Sequence, residues 1–250
     1  MISSIIGTLT QYFIEKPLTT PVQAAVTCTQ LNKQSVRSNL MFLTKKNALY
    51  GSLLPAITNS IPLVISHNLI SKVESAIFKQ DNKRPRPFTQ DLFHTITLTT
   101  AMYPFTYNEI ISRTKCCSHV SISDLSYAIP RPLQMSITPL YWNICSNVMY
   151  MSADSLVTKC LTPSSNTLVT TMIGSGLGTL LSYPFTVCMI RAIHNYPITC
   201  SLVSPRDLYR GCITETCKNV LLSSAHWYVH SLYMQRNTPK KKRTFLGIKW

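Results

Sequence analysis

The chain has 250 residues, and only 13% of them are charged. An ordinary soluble domain carries about a quarter, so an unbroken aqueous surface is excluded as the expected state and much of this surface is expected to face lipid. Twenty-four Lys and Arg against nine Asp and Glu leave a net charge of +15, which on a soluble helical domain would point to nucleic acid and between membrane spans needs only anionic lipid.

Runs free of charged residues supply six candidate spans in chain order. The first runs from Met1 to Ile14 and, past Glu15 and Lys16, continues from Pro17 to Asn32. The others are Asn47 to Ser71, Leu92 to Asn108, Pro132 to Ala153, Asn166 to Ile190 and Asn219 to Gln235. The second, fourth and fifth are long enough as helices to cross a hydrocarbon core of about 30 Å. Mean hydropathy is only +0.10 because the spans are rich in Ser, Thr and Asn. That composition suits helices packed against one another or around a wet cavity. The basic residues fall between spans, at Lys33, Arg37, Lys45 and Lys46, from Lys79 to Arg86, and near the end.

Nine cysteines show no CxxC pair and no zinc-ligand spacing. They are expected to act as small apolar packing residues, with Cys116 and Cys117 in a loop. Met1 to Ile6 holds no basic segment, so neither a secretory signal nor a cleavable transit peptide is expected, and targeting would be internal. With no Gly-rich phosphate loop, carboxylate pair or Ser/His/Asp order, no enzymatic activity, cofactor or metal site is expected. His226 and His230 stand four apart, a metal-binding spacing on a helix, yet no acid or cysteine is beside them and interface packing is the expectation.

Three prolines recur at a regular interval. They lie in Thr20, Pro21, Val22, Gln23, then Tyr103, Pro104, Phe105, Thr106, then Tyr183, Pro184, Phe185, Thr186, with the prolines 83 and 80 residues apart. Such a period marks three copies of one unit. Each unit reads as a helix with a prolyl bend, a short polar loop, and a second helix opened by an aromatic-Gly signature. The signature is Leu49, Tyr50, Gly51 leading to Pro55 in unit one and Leu208 to Gly211 in unit three, and it is worn down to Leu125 through Pro130 in unit two. Gly174, Gly176 and Gly178 let the fifth span approach its neighbours closely. The units divide as 1–85, 86–162 and 163–238, followed by a basic tail at 239–250.

On these motifs the chain resembles the mitochondrial carrier family, whose repeat carries Pro-x-Asp/Glu-x-x-Lys/Arg on the odd helices and aromatic-Arg-Gly at the start of the even ones. The resemblance covers almost the whole chain. It implies an all-α membrane protein with six transmembrane helices in three pseudo-threefold repeats, both termini in the intermembrane space, and a short matrix-side helix in each repeat. It also implies the mitochondrial inner membrane, with the outer mitochondrial and peroxisomal membranes, where divergent relatives occur, as alternatives.

In that family the motif acids and bases pair across neighbouring odd helices and close the matrix end of the cavity. Here the acid positions are Gln23, Thr106 and Thr186 and the base positions are Val26, Glu109 and Met189, so no opposite-charge pair can form among them. The second gate, near the far ends of the even helices, maps to Ser71, Lys72 and Ser75, to Ser146, Asn147 and Tyr150, and to His230, Ser231 and Met234. It too lacks ion pairs. Buried ion pairs serve switching and specificity more than stability, so their loss fits a bundle that no longer alternates between two states. The short loops predict trimmed matrix helices.

Carriers contact substrate near the middle of the even helices, four or five residues beyond the positions of Pro55, Pro130 and Thr214. The matching residues are Asn59, Gln134 with Met135, and Lys218. Lys218, an intramembrane cation, is a functional candidate, although Glu215 one turn earlier offers it a structural partner. Arg113 and Arg191 are expected at the matrix interface against lipid headgroups. Lys240, Lys241, Lys242 and Arg243 form a basic cluster suited to anionic lipid or an acidic partner subunit.

The expected function is that of a non-transporting, carrier-fold structural subunit of a larger inner-membrane assembly such as a respiratory-chain complex. Its expected partners are membrane lipid, a bound phospholipid such as cardiolipin included, and the other subunits, with no nucleic acid. The competing reading is an active solute transporter with atypical gating, its substrate held by Asn59, Gln134, Met135 and Lys218.

Overall fold

The computed structural model describes residues 2–32, 34–78, 87–117, 136–161, 167–194 and 204–237; the side chains of residues 2–8, 10, 11, 116, 117 and 229–237 are outside that description. Every regular element among the described residues is an α-helix. In chain order these are α1 Ile2–Asn32, α2 Val36–Lys45, α3 Leu53–Thr58, α4 Ser60–Ile77, α5 Phe88–Cys117, α6 Ile137–Leu161, α7 Thr167–Ile193, α8 Pro205–Leu208 and α9 Cys212–Asn237.

Local chemistry sets several boundaries. Ser35 caps α2 by accepting from the Ser38 amide, and Ser204 caps α8 by accepting from the Asp207 amide, with Pro205 in the first turn. Pro17, Pro21, Pro104 and Pro184 all lie inside continuous helices. Proline cannot donate to the preceding turn. Beside Pro21, the hydroxyls of Thr19 and Thr20 donate back to the carbonyls of Glu15 and Lys16 at 3.1 and 2.6 Å. Cys116 and Cys117 end α5 and are not in a loop, because the helix runs on past its last charged residues. Cys28 is disulfide-bonded, a departure from the pure packing role expected of the cysteines.

The long helices are arranged as a closed ring. α1, the nearly continuous α3 and α4, α5, α6, α7 and α9 touch their neighbours in chain order, and α9 returns to α1. α1, α5 and α7 also contact one another, through their C-terminal halves. There Ile110 of α5 joins Met189, Ile190 and Ile193 of α7 in a buried apolar cluster, with Leu31 of α1 packed on it.

Two units share a bond that fixes their register. Tyr183, just before Pro184, donates its hydroxyl to the Arg210 carbonyl at 2.6 Å, at the entry to α9. Tyr103, just before Pro104, donates in the same way to the Ser136 carbonyl at 3.0 Å, at the entry to α6. Unit one has Thr20 at this place, and its hydroxyl is spent within α1. Gly211 stands at φ +86°, and a Cβ there would lie 2.9 Å from the Tyr183 hydroxyl. A side chain at this position is therefore opposed by both backbone conformation and space.

Beside the buried apolar clusters, many polar side chains are buried and many large apolar ones are exposed. Thr20, Thr29, Gln30, Asn39, Glu74 and Gln90 are fully or almost fully buried. Large apolar residues stand exposed at helical intervals, Ile61, Ile65, Leu69, Val73 and Ile77 along α4 and Val169, Ile173, Leu177 and Leu180 along α7. By length and composition two helical segments could cross a membrane, Leu53–Ile77 with mean hydropathy 1.3 and Thr167–Ile193 with 1.4. The other expected spans, as far as they are described, do not reach that composition, because Thr, Asn, Gln and charged residues are threaded along them.

Candidate functional site

The motif positions meet where α1, α5 and α7 converge. Glu109 and Arg113 lie one turn apart on the same face of α5 and form an ion pair. Arg113 Nη2 also donates to Gln23 Oε1 of α1 at 2.7 Å. Lys16 Nζ of α1 stands 4.0 Å from Glu109 Oε1. Asn59, between α3 and α4, donates from Nδ2 to Glu109 Oε2 at 3.3 Å and to the Phe105 carbonyl at 2.9 Å. One acid in a base position is thus the hub of a network joining three parts of the chain.

This geometry corrects the expectation that Arg113 and Arg191 meet lipid headgroups. The six motif residues make no ion pair among themselves, but the region is not free of ion pairs, because Lys16 and Arg113, outside the motif positions, turn inward to Glu109. A buried carboxylate needs a counter-charge, and Arg113 is the cation one turn away. Arg113 therefore faces the interior and not a lipid headgroup. Arg191 is likewise buried, at 8% exposure.

Neutral contacts hold the remaining motif positions. Val26 packs with Tyr183, Val187 and Cys212, and Met189 lies in the apolar cluster with Ile110. The Thr186 hydroxyl is 2.7 Å from that of Ser146 on α6, and the Thr106 hydroxyl donates back to the Met102 carbonyl at 3.2 Å. Gln30 Nε2 donates to the Tyr183 hydroxyl at 2.9 Å, tying α1 to α7. A cavity of about 90 Å³ remains here, among Gln23, Gln30, Arg113, Tyr183 and Thr186.

Both described substrate-contact candidates are already engaged. Asn59 is bonded to α5, as above, and Lys218 Nζ donates to Glu215 Oε1 at 2.5 Å, the structural partner foreseen for it. Lys218 lies within electrostatic reach of Lys16 and Arg113. His226 is not without an acid, since Glu15 of α1 reaches it at 3.1 Å from 211 residues away. Gln134, Met135, Lys240, Lys241, Lys242 and Arg243 lie outside the described residues, as do the side chains of His230, Ser231 and Met234.

The start of α6 at Ile137 re-registers unit two. Counting from Leu125 places Ser146, Asn147 and Tyr150 near the far end of an even helix, but they lie in the middle of α6. Unit two has lost the glycine that marks the turn elsewhere, so its sequence offers only a proline from which to count.

Sequence reasoning missed a second polar region. A cavity of about 340 Å³ runs along α5 and α6 beside Leu63 of α4, with His94, Thr99, Asn143 and Asn147 on its wall. His94 Nδ1 is 2.8 Å from Glu74 Oε1, and the His67 ring packs edge-on against His94 at 4.9 Å between centroids. His67 and Glu74 stand seven apart, on one face of α4, as Asn143 and Asn147 stand four apart on α6. Those spacings are in the sequence, but they acquire meaning only once α5 is laid between the two helices. Among the described residues no group of three or more His, Cys, Asp and Glu is placed to hold a metal ion. No protein-family model matches this chain, and no curated protein matches it.

Proposed function

We propose that the chain is a carrier-fold protein that has given up transport and serves as a structural subunit of a larger assembly in the mitochondrial inner membrane. The observation that carries this reading is the fate of the motif positions. Val26 and Met189 are sealed among apolar side chains, Thr106 and Thr186 are spent on neutral hydrogen bonds, and Glu109 is paired to Arg113 on its own helix. A gate needs contacts that exchange between two arrangements, whereas a pair within one helix moves with that helix. Two charged bridges between odd helices run from Arg113 to Gln23 and from Glu109 to Lys16, and both join α1 to α5.

The exposed apolar stripes of α4 and α7 around a polar interior favour lipid outside the ring. Arg37, Lys45 and Lys46 on and after α2 would meet anionic headgroups, cardiolipin among them. Gentle detergent extraction followed by native sizing tests the reading: a species far larger than the 28.2 kDa chain supports it, and a free monomer overturns it.

One observation favours solute transport instead. Lys16, Arg113 and Lys218 gather in the interior, where an anionic solute could exchange with their carboxylate partners. Saturable exchange in liposomes, abolished by Lys218→Ala, would establish that reading over the first.

A further inference from the structure

The cavity between α5 and α6 has one motif position, Thr106, on its wall and lies apart from the charged network. We propose that it is a binding site for an uncharged ligand carrying an amide-type edge, a donor and an acceptor side by side, on an apolar or aromatic body. The wall on α6 is preset for such an edge. Asn147 Nδ2 donates to both Thr99 Oγ1 at 3.0 Å and Asn143 Oδ1 at 3.3 Å. These bonds use the donors of Asn147 and one acceptor of Asn143, and they hold the two carboxamides in place.

Asn143 Nδ2 and Asn147 Oδ1 carry no bond within the protein among the described residues; Asn143 is 6% exposed, and Asn147 stands exposed on the same wall. One turn apart on α6, they present one donor and one acceptor to the same space.

Charge and shape narrow the class. No Lys, Arg, Asp or Glu lies among the described residues lining the cavity, so an ionised ligand would enter without a counter-charge. His94 lines it, but its Nδ1 faces the Glu74 carboxylate, which leaves Nε2 as its remaining hydrogen-bonding atom. Leu63, Leu98, Met102 and Met151 supply the apolar wall, and about 340 Å³ is room for a small ring-bearing molecule. The inference does not depend on whether the ring transports or only supports an assembly, because native sizing reads one property and ligand binding the other.

The test uses the purified full-length chain in detergent with benzamide and nicotinamide as probes, and benzoate and nicotinate as the same rings bearing a carboxylate. The amides are expected to raise the unfolding temperature saturably and the carboxylates to bind at least tenfold more weakly. Asn143→Leu is expected to weaken amide binding by about tenfold, the effect of one good hydrogen bond. Should that variant fail to fold, Leu98→Trp, which fills the apolar wall and leaves both carboxamides, is expected to abolish binding. Absence of amide binding, equal binding of the carboxylates, or binding that survives these substitutions overturns the proposal.

Discussion

Glu109→Gln removes a charge from the meeting point of α1, α5 and α7 while keeping the size of the side chain. Glu109, Arg113 and Lys16 retain side-chain exposures of 11%, 15% and 16%, so all three charges are largely out of water. Removing one partner of such a group leaves the others uncompensated, at a cost of about 3–5 kcal/mol. Residual exposure of both cations, and the bond Arg113 keeps to Gln23, place the expected loss at the low end, about 3 kcal/mol. For a chain of this size that corresponds to a fall in Tm of roughly 6–12 °C. The assay is thermal unfolding in detergent, with Glu109→Leu combined with Arg113→Met alongside. Removing both leaves only Lys16, the more distant partner at 4.0 Å, without its counter-charge and is expected to recover part of the loss. The reasoning is refuted if Glu109→Gln lies within about 0.5 kcal/mol of the parent, the range of an inconsequential surface change, or if the double variant is the less stable of the two.

The other predictions concern packing and pH. Gly211→Ala, strained at φ +86° and pressed against the Tyr183 hydroxyl, is expected to cost about 1–2 kcal/mol or more. Tyr183→Phe, which strands Gln30 Nε2 and the Arg210 carbonyl, is expected to cost about 1–3 kcal/mol. Denaturant titration reads both. On the α6–α7 seam, a Cβ at Gly174 meets the side chain of Asp154, whereas one at Gly178 meets the Tyr150 ring at 3.0 Å and its carbonyl at 3.1 Å. Asp154→Ala is therefore expected to rescue Gly174→Ala, while a Tyr150→Ala partner rescues Gly178→Ala only in part because the carbonyl remains; double-mutant cycles compare the two. His194, just beyond α7, has its Nε2 sealed without a hydrogen bond, and burial holds its pKa below the ordinary histidine value. The unfolded chain then takes the proton first, so stability is full above about pH 6.5 and falls as the pH drops below it. Melting curves of the parent across that range should show the fall, and His194→Leu should flatten it.

The all-helical character and much of the helical framework could be read directly from the chain. Runs without charge, prolines at steps of 83 and 80 residues, and Tyr209, Arg210 and Gly211 at a helix entrance act through local periodicity and backbone preference, which need no knowledge of distant residues. Reading failed first where a local mark was missing. Unit two has no glycine at its turn, so counting from Leu125 placed Asn147 and Tyr150 at the wrong depth.

The site depended on tertiary structure. Spacing alone marks Glu109 as a misplaced acid and Arg113 as an interfacial cation, yet Arg113 bonds to Gln23 across 90 residues of sequence and Lys16 reaches Glu109 from the other helix. Likewise Asn147 finds Thr99 at a separation of 48 residues and Glu74 meets His94 at 20. Periodicity tells which face of a helix a residue shares with its neighbours, but not which other helix that face meets. A buried charge or amide takes its partner from whatever the packed ring brings within about 3 Å, and only the closed arrangement of the helices settles that choice.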